Sequence, residues 1–369
     1  MLGVIALLLL FEFRGDFLSS QNRRSGTPQA SVLMGDGILE RITELPLRKR
    51  IGQLMIFGFA TTTPDEHIVR LINEYGVGGV NLLRRNVRDA EQMRHLTETL
   101  QKHTSAADLP PLFVATDQEG GAVNRFFFLS EKTAQSDIVN ESEAFLVGER
   151  RGRELRNLGV NMNFSPVLDF VPDTRAYLYN RTFATTTDAT ARLGVALARG
   201  YESGGVIPVF KHFPGYGLAL SDPHTHTASV QENGFLEQSA RSFRLALEAK
   251  PDSPLMTAHI IYAGVDARPA TRSRRFLNDI LRNEWGYGGV IITDDLEMES
   301  VKGTEKLPVE AVAVQALEAG ADMLISTYAS TLHESIIKAV EDAVTSGRLS
   351  EERITESLYR VWRLKETLE

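Results

Sequence analysis

Val206-Ile207-Pro208-Val209-Phe210 runs without a break into Lys211-His212-Phe213-Pro214-Gly215-Tyr216-Gly217. The apolar run reads as a short buried strand. It ends in a Lys-His pair, after which glycines and a proline break regular structure. Polar side chains at the tip of a buried strand are costly unless something there binds them. The loop beyond continues Ser221-Asp222-Pro223-His224-Thr225-His226. A carboxylate two residues from an imidazole can orient the ring and raise its basicity. Pro223 fixes its own φ and biases Asp222 toward an extended backbone, which keeps that pair in register.

Other runs of the same kind lie on both sides of this strand. Leu54–Ala60, Val77–Leu83, Pro111–Thr116 and Val160–Asp169 precede it, and Leu255–Ile261, Gly288–Thr293 and Ala321–Ser326 follow. Between them, helical patterns are read at Pro64–Tyr75 with Thr63 as N-cap, Asp89–His103, Glu141–Leu158, Asp188–Glu202, Phe235–Ala249, Arg275–Trp285, Pro308–Ala319 and Leu332–Ser346. Pro308 suits the first position of its helix. A helix over Leu39–Arg50, kinked or broken at Pro46, precedes the series, and one over Glu351–Thr367 closes it. Continuous apolar runs mark strands buried on both faces, as in a parallel sheet. Eight such strands, each followed by a helix, predict a (β/α)8 TIM barrel in a single domain over residues 39–369. A doubly wound open sheet is the alternative.

The composition is that of an ordinary globular chain: 43% hydrophobic and 24% charged over 369 residues. With 40 basic and 48 acidic residues the net charge is −8, and no long basic run points to nucleic acid or an anionic membrane. The absence of cysteine excludes disulfides, thiolate zinc sites and a cysteine nucleophile. Residues 1–38 read as a disordered or targeting extension. The apolar run Val4–Phe11 is far shorter than the roughly 20 residues that span a bilayer, and no basic residue precedes it. Met34 is an alternative start. The expectation is a cytoplasmic monomer, the alternative an exported or membrane-anchored one held through residues 1–20.

Asp117, Asp169, Lys211, His212, His259 and Asp294 fall at or near C-terminal strand ends, where barrel enzymes build their sites. In Thr293-Asp294-Asp295-Leu296-Glu297-Met298, a helix cap accounts for one acid; the other, still on the strand, faces the barrel mouth and could attack an anomeric carbon. In Asp117-Gln118-Glu119-Gly120-Gly121-Ala122-Val123-Asn124-Arg125, the paired glycines would permit close approach of a ligand to backbone. Asp117 and Arg125 offer an acceptor and a donor fork suited to sugar hydroxyls.

Taken together, these motifs resemble glycoside hydrolase family 3, most closely its single-domain β-N-acetylglucosaminidase branch. The resemblance runs from about residue 40 to the C-terminus. It implies an exo-acting retaining β-N-acetylglucosaminidase with Asp294 as nucleophile, His224 as acid/base and Asp222 orienting it. It further implies Asp117, Arg125, Arg181, Lys211 and His212 as sugar-binding residues, no cofactor, no metal, and a small carbohydrate or muropeptide substrate from peptidoglycan recycling. The chain departs from the family at Ala184, where a glycine is usual, and at Tyr216, where histidine is common. Two other readings use the same residues. A phosphorylase would pass the sugar to phosphate. A metal-dependent amidohydrolase would use Asp222, His224 and His226 as ligands.

Overall fold

The computed structural model describes residues 37–183, 186–217, 219, 222–230 and 235–368. The expected extension over residues 1–38, apart from its last two residues, and Ala184 lie outside them. The barrel strands are β1 (Met55–Phe57), β2 (Gly79–Leu82), β3 (Phe113–Thr116), β4 (Met162–Asn163), β5 in two segments (Ile207–Pro208 and Phe210–Phe213), β6 (Leu255–Thr257), β7 (Ile291–Asp295) and β8 (Met323–Ser326). All barrel pairings are parallel, and the sheet order runs from the first segment of β5 through β4, β3, β2, β1, β8, β7 and β6 to the second segment of β5. The two ends of that order are halves of one strand, so the ring closes through β5. Pro208 has no N–H to give the ladder. The Val209 N–H instead donates to Asn163 O at 3.0 Å and Ser165 O at 3.1 Å, after which the chain changes partner to β6.

Helices alternate with strands as the periodicity predicts. The leading helix divides at Pro46 into Ile38–Glu44 and Leu47–Gly52. Asp89, Asn140, Thr186 and Ser350 each cap a helix by accepting the backbone N–H three residues on, which satisfies a donor left orphaned in the first turn. Four expectations need correction. The cap after β1 is Asp65, not Thr63, because the helix begins two residues late, at Glu66. Pro308 is the cap of Val309–Ala319 and not its first helical residue. The long fourth strand shrinks to Met162–Asn163 before the chain turns at Ser165 and Pro166, while β5 runs on to Phe213 and carries Lys211 and His212 inside the sheet. The sixth strand stops at Thr257. Ile260–Tyr262 leaves the barrel and pairs in parallel with Ala228–Val230, beyond the Asp222–His224 loop. Among the described residues no helix is long and apolar enough to cross a membrane.

The last helix, Glu351–Lys365, places a lysine inside the base of the barrel. Lys365 is 1% exposed, and its Nζ donates to Gly78 O at 2.9 Å and Pro111 O at 2.8 Å. Burial lowers its pKa to about 7. The unfolded chain then binds more protons at this amine than the folded one between about pH 7 and the ordinary lysine range. Stability is therefore expected to rise with pH through that window, by up to about 1.4 kcal/mol per pH unit. Thermal melts of the wild type and Lys365→Met at pH 7 and 9 check this: the wild type should gain on the variant as pH rises, and parallel curves would show that the amine keeps its proton.

Candidate active site

Asp117, Arg125, Arg181, Lys211, His212, Asp222, His224 and Asp294 all line one cavity of about 420 Å³ at the C-terminal end of the strands. Its size falls in the range of about 300–1,000 Å³ typical of small-ligand sites. Phe164, Met256 and Ile325 supply apolar lining. A larger cavity of about 920 Å³ opens at the other end of the barrel, among Gly205–Pro208, Ser253 and Val290, and contains none of the motif residues.

One flank is a charged network. Lys211, 1% exposed, donates to Asp117 Oδ1 at 2.7 Å and lies 2.6 Å from Glu119 Oε1. Glu119 in turn accepts a two-pronged contact from Arg181, at 2.7 and 3.0 Å. Burial works against a charge on Glu119, but Arg181 and Lys211 outweigh it and hold the carboxyl well below its usual range. Burial likewise opposes the charge on Lys211, and Asp117 and Glu119 reverse it, so its pKa is raised. Glu119 does not line the cavity; it ties together two cations that do. Sequence reading assigned it no role. Its signal was an acid inside the Asp-Gln-Glu motif that nothing exposed could use. Arg125 approaches Asp117 only to 3.9 Å, and its Nε is buried without a partner.

The glycines expected to admit a ligand do something else. Gly120 and Gly121 have φ of +87° and +55° and turn the hairpin Gln118–Gly120/Val123–Asn124. A Cβ on Gly120 would sit 2.1 Å from the Thr133 carbonyl oxygen, and one on Gly121 2.8 Å from the Ala134 side chain. They are required by the turn and by the segment packed on it, not by a bound molecule.

His212 is fixed by Asp169, a fully buried acid. Asp169 Oδ2 accepts the His212 backbone N–H at 2.9 Å and pairs with His212 Nδ1 at 2.8 Å, leaving Nε2 to the cavity. Asp169 Oδ1 accepts the Tyr216 N–H at 2.6 Å. Tyr216 is buried beside them, and its hydroxyl accepts the His259 N–H at 3.1 Å. The tyrosine thus spans from β5 to the chain beyond β6, a bridge built with side-chain length.

Asp294 lies on β7 itself, one residue before the strand ends. Burial opposes its ionisation, but His259, His212 and Lys211 together with the Asp295 N–H, at 2.8 Å, keep its pKa below the ordinary value. A carboxylate held ionised at the mouth of a barrel has the charge state a nucleophile needs.

Asp222 Oδ1 accepts the His224 backbone N–H at 2.9 Å and pairs with His224 Nδ1 at 2.7 Å. That contact fixes the ring, and Nε2 has no partner among the described residues. Tyr177, from the loop after β4, stands edge-on to the imidazole with centroids 6.1 Å apart, and the Arg181 guanidinium lies 6.0 Å from its ring centre. No periodicity marks such an aromatic in a loop, and sequence reading passed over it. The loop is pinned to the segment after β7: Ser300 N–H donates to Pro223 O and Glu299 N–H to His224 O, both at 3.2 Å. His226 does not line the cavity; its Nδ1 pairs with Thr225 Oγ1 at 2.8 Å. Among the described residues no group of three His, Asp or Glu side chains is placed to hold a metal ion, so Asp222, His224 and His226 do not form the ligand set that an amidohydrolase reading needs.

The sequence matches the Glycosyl hydrolase family 3 N terminal domain over residues 46–364. It is 31% identical to a Beta-hexosaminidase of Nitrosomonas eutropha over 331 residues, covering 86% of this chain and 93% of that protein. It is 32% identical to Beta-hexosaminidase A of Pseudoalteromonas piscicida over 342 residues, 84% of this chain but only 56% of that one. The structure resembles a glycoside hydrolase family 3 β-N-acetylglucosaminidase from a Paenibacillus species, with 34% identity and a TM-score of 0.83, over 88% of this chain and 63% of that chain. The chain therefore spans less than two thirds of the last two relatives. A match that begins at Pro46, ahead of β1, and ends at Leu364 in the closing helix takes in the whole barrel and every motif of the site, and the chain belongs to glycosyl hydrolase family 3.

Proposed function

We propose that the chain is an exo-acting, retaining β-N-acetylglucosaminidase. The observation that carries the reading is convergence: eight side chains from separate stretches of sequence line a single cavity, with an ionised carboxylate on β7 and an oriented imidazole on the loop after β5. Names of relatives supply the sugar, since they are β-hexosaminidases and a β-N-acetylglucosaminidase.

In this reading Asp117, Arg125, Arg181, Lys211 and His212 hold the non-reducing sugar. Asp294 attacks the anomeric carbon, the glycosidic C–O bond breaks, and His224 Nε2–H delivers its proton to the departing oxygen. A water then attacks the covalent glycosyl–Asp294 ester. His224 takes that water's proton, and Asp294 leaves as carboxylate. An imidazole suits both roles near neutrality, because its unperturbed pKa of about 6.5 lets it donate and recover a proton. Muropeptide sugars of cell-wall recycling are the substrates that the family resemblance favours.

The test is hydrolysis of an aryl β-N-acetylglucosaminide against the matching β-glucoside, with the product's anomeric configuration followed by NMR. Turnover of the acetamido substrate with retention is expected. Inversion, or equal turnover of the glucoside, would overturn the reading. Sugar 1-phosphate as the main product in phosphate buffer would make the enzyme a phosphorylase.

A further inference from the structure

Most polar side chains of the cavity are already spoken for. Lys211, Asp117 and Arg181 belong to the network through Glu119, His212 to Asp169, and His224 to Asp222. On the flank formed by β2, β7 and β8, Asn81 is not, and Asp295 is engaged only in part. Asn81, on β2, is 5% exposed and lines the cavity, and its Oδ1 is buried without a partner among the described residues. Its Nδ2 faces Thr327 Oγ1 at 3.5 Å. A buried amide oxygen left without a donor costs free energy comparable to a lost hydrogen bond unless a ligand completes it. Asp295 lines the same cavity, and the Thr327 hydroxyl bonds its carboxyl. Its Oδ1 also accepts the Glu297 N–H at 3.0 Å, so one oxygen has a backbone partner.

Resting on the hexosaminidase reading, we infer that Asn81 and Asp295, joined through Thr327, form the subsite that receives the substrate's acetamido group. An acetamido group has one N–H and one C=O. Asn81 Oδ1 offers the acceptor that the N–H requires, and a protonated Asp295 offers the donor that the carbonyl requires. The apolar lining from Ile325 and Met256 suits the methyl. The charge state of Asp295 agrees with that role. Burial pushes its pKa up to about 7, with the Glu297 and Asp294 carboxylates adding to the effect against the Thr327 hydroxyl and the Glu297 N–H. His259, whose Nε2 is 3.0 Å from Asp295 O, reaches it from beyond β6, and Tyr328 approaches from beyond β8. A 2-hydroxyl in place of the acetamido group leaves the Asn81 oxygen unpaired and the Asp295 proton without its acceptor, which turns a subsite into a filter against glucosides.

The experiment compares kcat/KM on aryl β-N-acetylglucosaminide and aryl β-glucoside for wild type, Asn81→Leu, Asp295→Ala and Asp295→Asn. Asn81→Leu and Asp295→Ala should each lose about tenfold more rate on the acetamido substrate than on the glucoside, the loss of about one hydrogen bond. Asp295→Asn keeps an N–H donor and should retain the wild-type preference at pH 6. Across pH 6 to 8 the wild-type preference should fall as Asp295 loses its proton, whereas that of Asp295→Asn stays level. Parallel losses on both substrates, or an unaltered ratio in Asn81→Leu and Asp295→Ala, would overturn the subsite assignment while leaving the hexosaminidase reading intact. A wild type that does not prefer the acetamido substrate would overturn that reading and the subsite with it.

Discussion

Asp294→Ala is expected to lower turnover of an aryl β-N-acetylglucosaminide by about 10⁴-fold or more, the order seen when a covalent nucleophile is removed. The fold should survive. Asp294 sits at the end of β7, where its carboxyl accepts the N–H of its own neighbour Asp295, and burial already opposes its charge. Its lowered pKa means that the surrounding His259, His212 and Lys211 favour the folded carboxylate over the unfolded one, so its removal should lower the melting temperature modestly at neutral pH while sugar binding through Asp117, Lys211 and Arg181 persists. A 2-fluoro sugar that traps the glycosyl ester, followed by peptide mapping, should label the peptide containing Asp294 and place the label on that residue. Label on Asp295, or a greater loss of glycosylation from Asp295→Ala than from Asp294→Ala, would move the nucleophile by one position.

The second large effect is at His224. His224→Ala should lose about 10²–10⁴-fold on a disaccharide or methylumbelliferyl glycoside, the range general acid catalysis supplies. A dinitrophenyl glycoside departs with little protonation and should lose far less. Deglycosylation then limits, and azide should restore rate by replacing the water that has lost its base. Asp222→Ala should repeat the pattern more weakly, since the imidazole stays but the Asp222 Oδ1 that holds both its ring and its backbone N–H is gone. His226→Ala should show neither leaving-group dependence nor rescue, because its ring pairs with Thr225 away from the cavity. Azide rescue of His226→Ala and not of His224→Ala would sink the assignment.

The barrel was legible because eight buried strands leave eight apolar runs, and a parallel sheet covered on both faces has nowhere to put polar residues except at strand ends. That restriction also made Asp117, Lys211, His212 and Asp294 visible. Strand limits were less legible. The Val160–Asp169 run looks like one strand, yet only Met162–Asn163 is regular strand; beyond the turn at Ser165 and Pro166 a single bridge, Val167 to Lys211, joins it to β5, and its apolar residues are buried with Pro166 and Leu168 against Gly194 of Thr187–Ser203. The Ile260–Tyr262 run is apolar because it pairs outside the barrel. Partnerships between side chains left no sequence trace. Glu119 serves Lys211 and Arg181, which lie 92 and 62 positions away in the chain. Asn81 reads as an interruption in an apolar strand until the cavity it faces is seen.

The two backbone bonds from Glu299 and Ser300 to His224 and Pro223 join the loop carrying the imidazole to the connection that follows the carboxylate's own strand. The two reacting groups are therefore referenced to one scaffold segment and not to each other across open solvent. Sequence between that anchor and the Ala228–Val230 pairing can drift in length and composition without moving the imidazole. Transplanting the loop into another barrel would have to carry the Glu299–Ser300 segment with it, because the heritable unit of this acid is two connections rather than one.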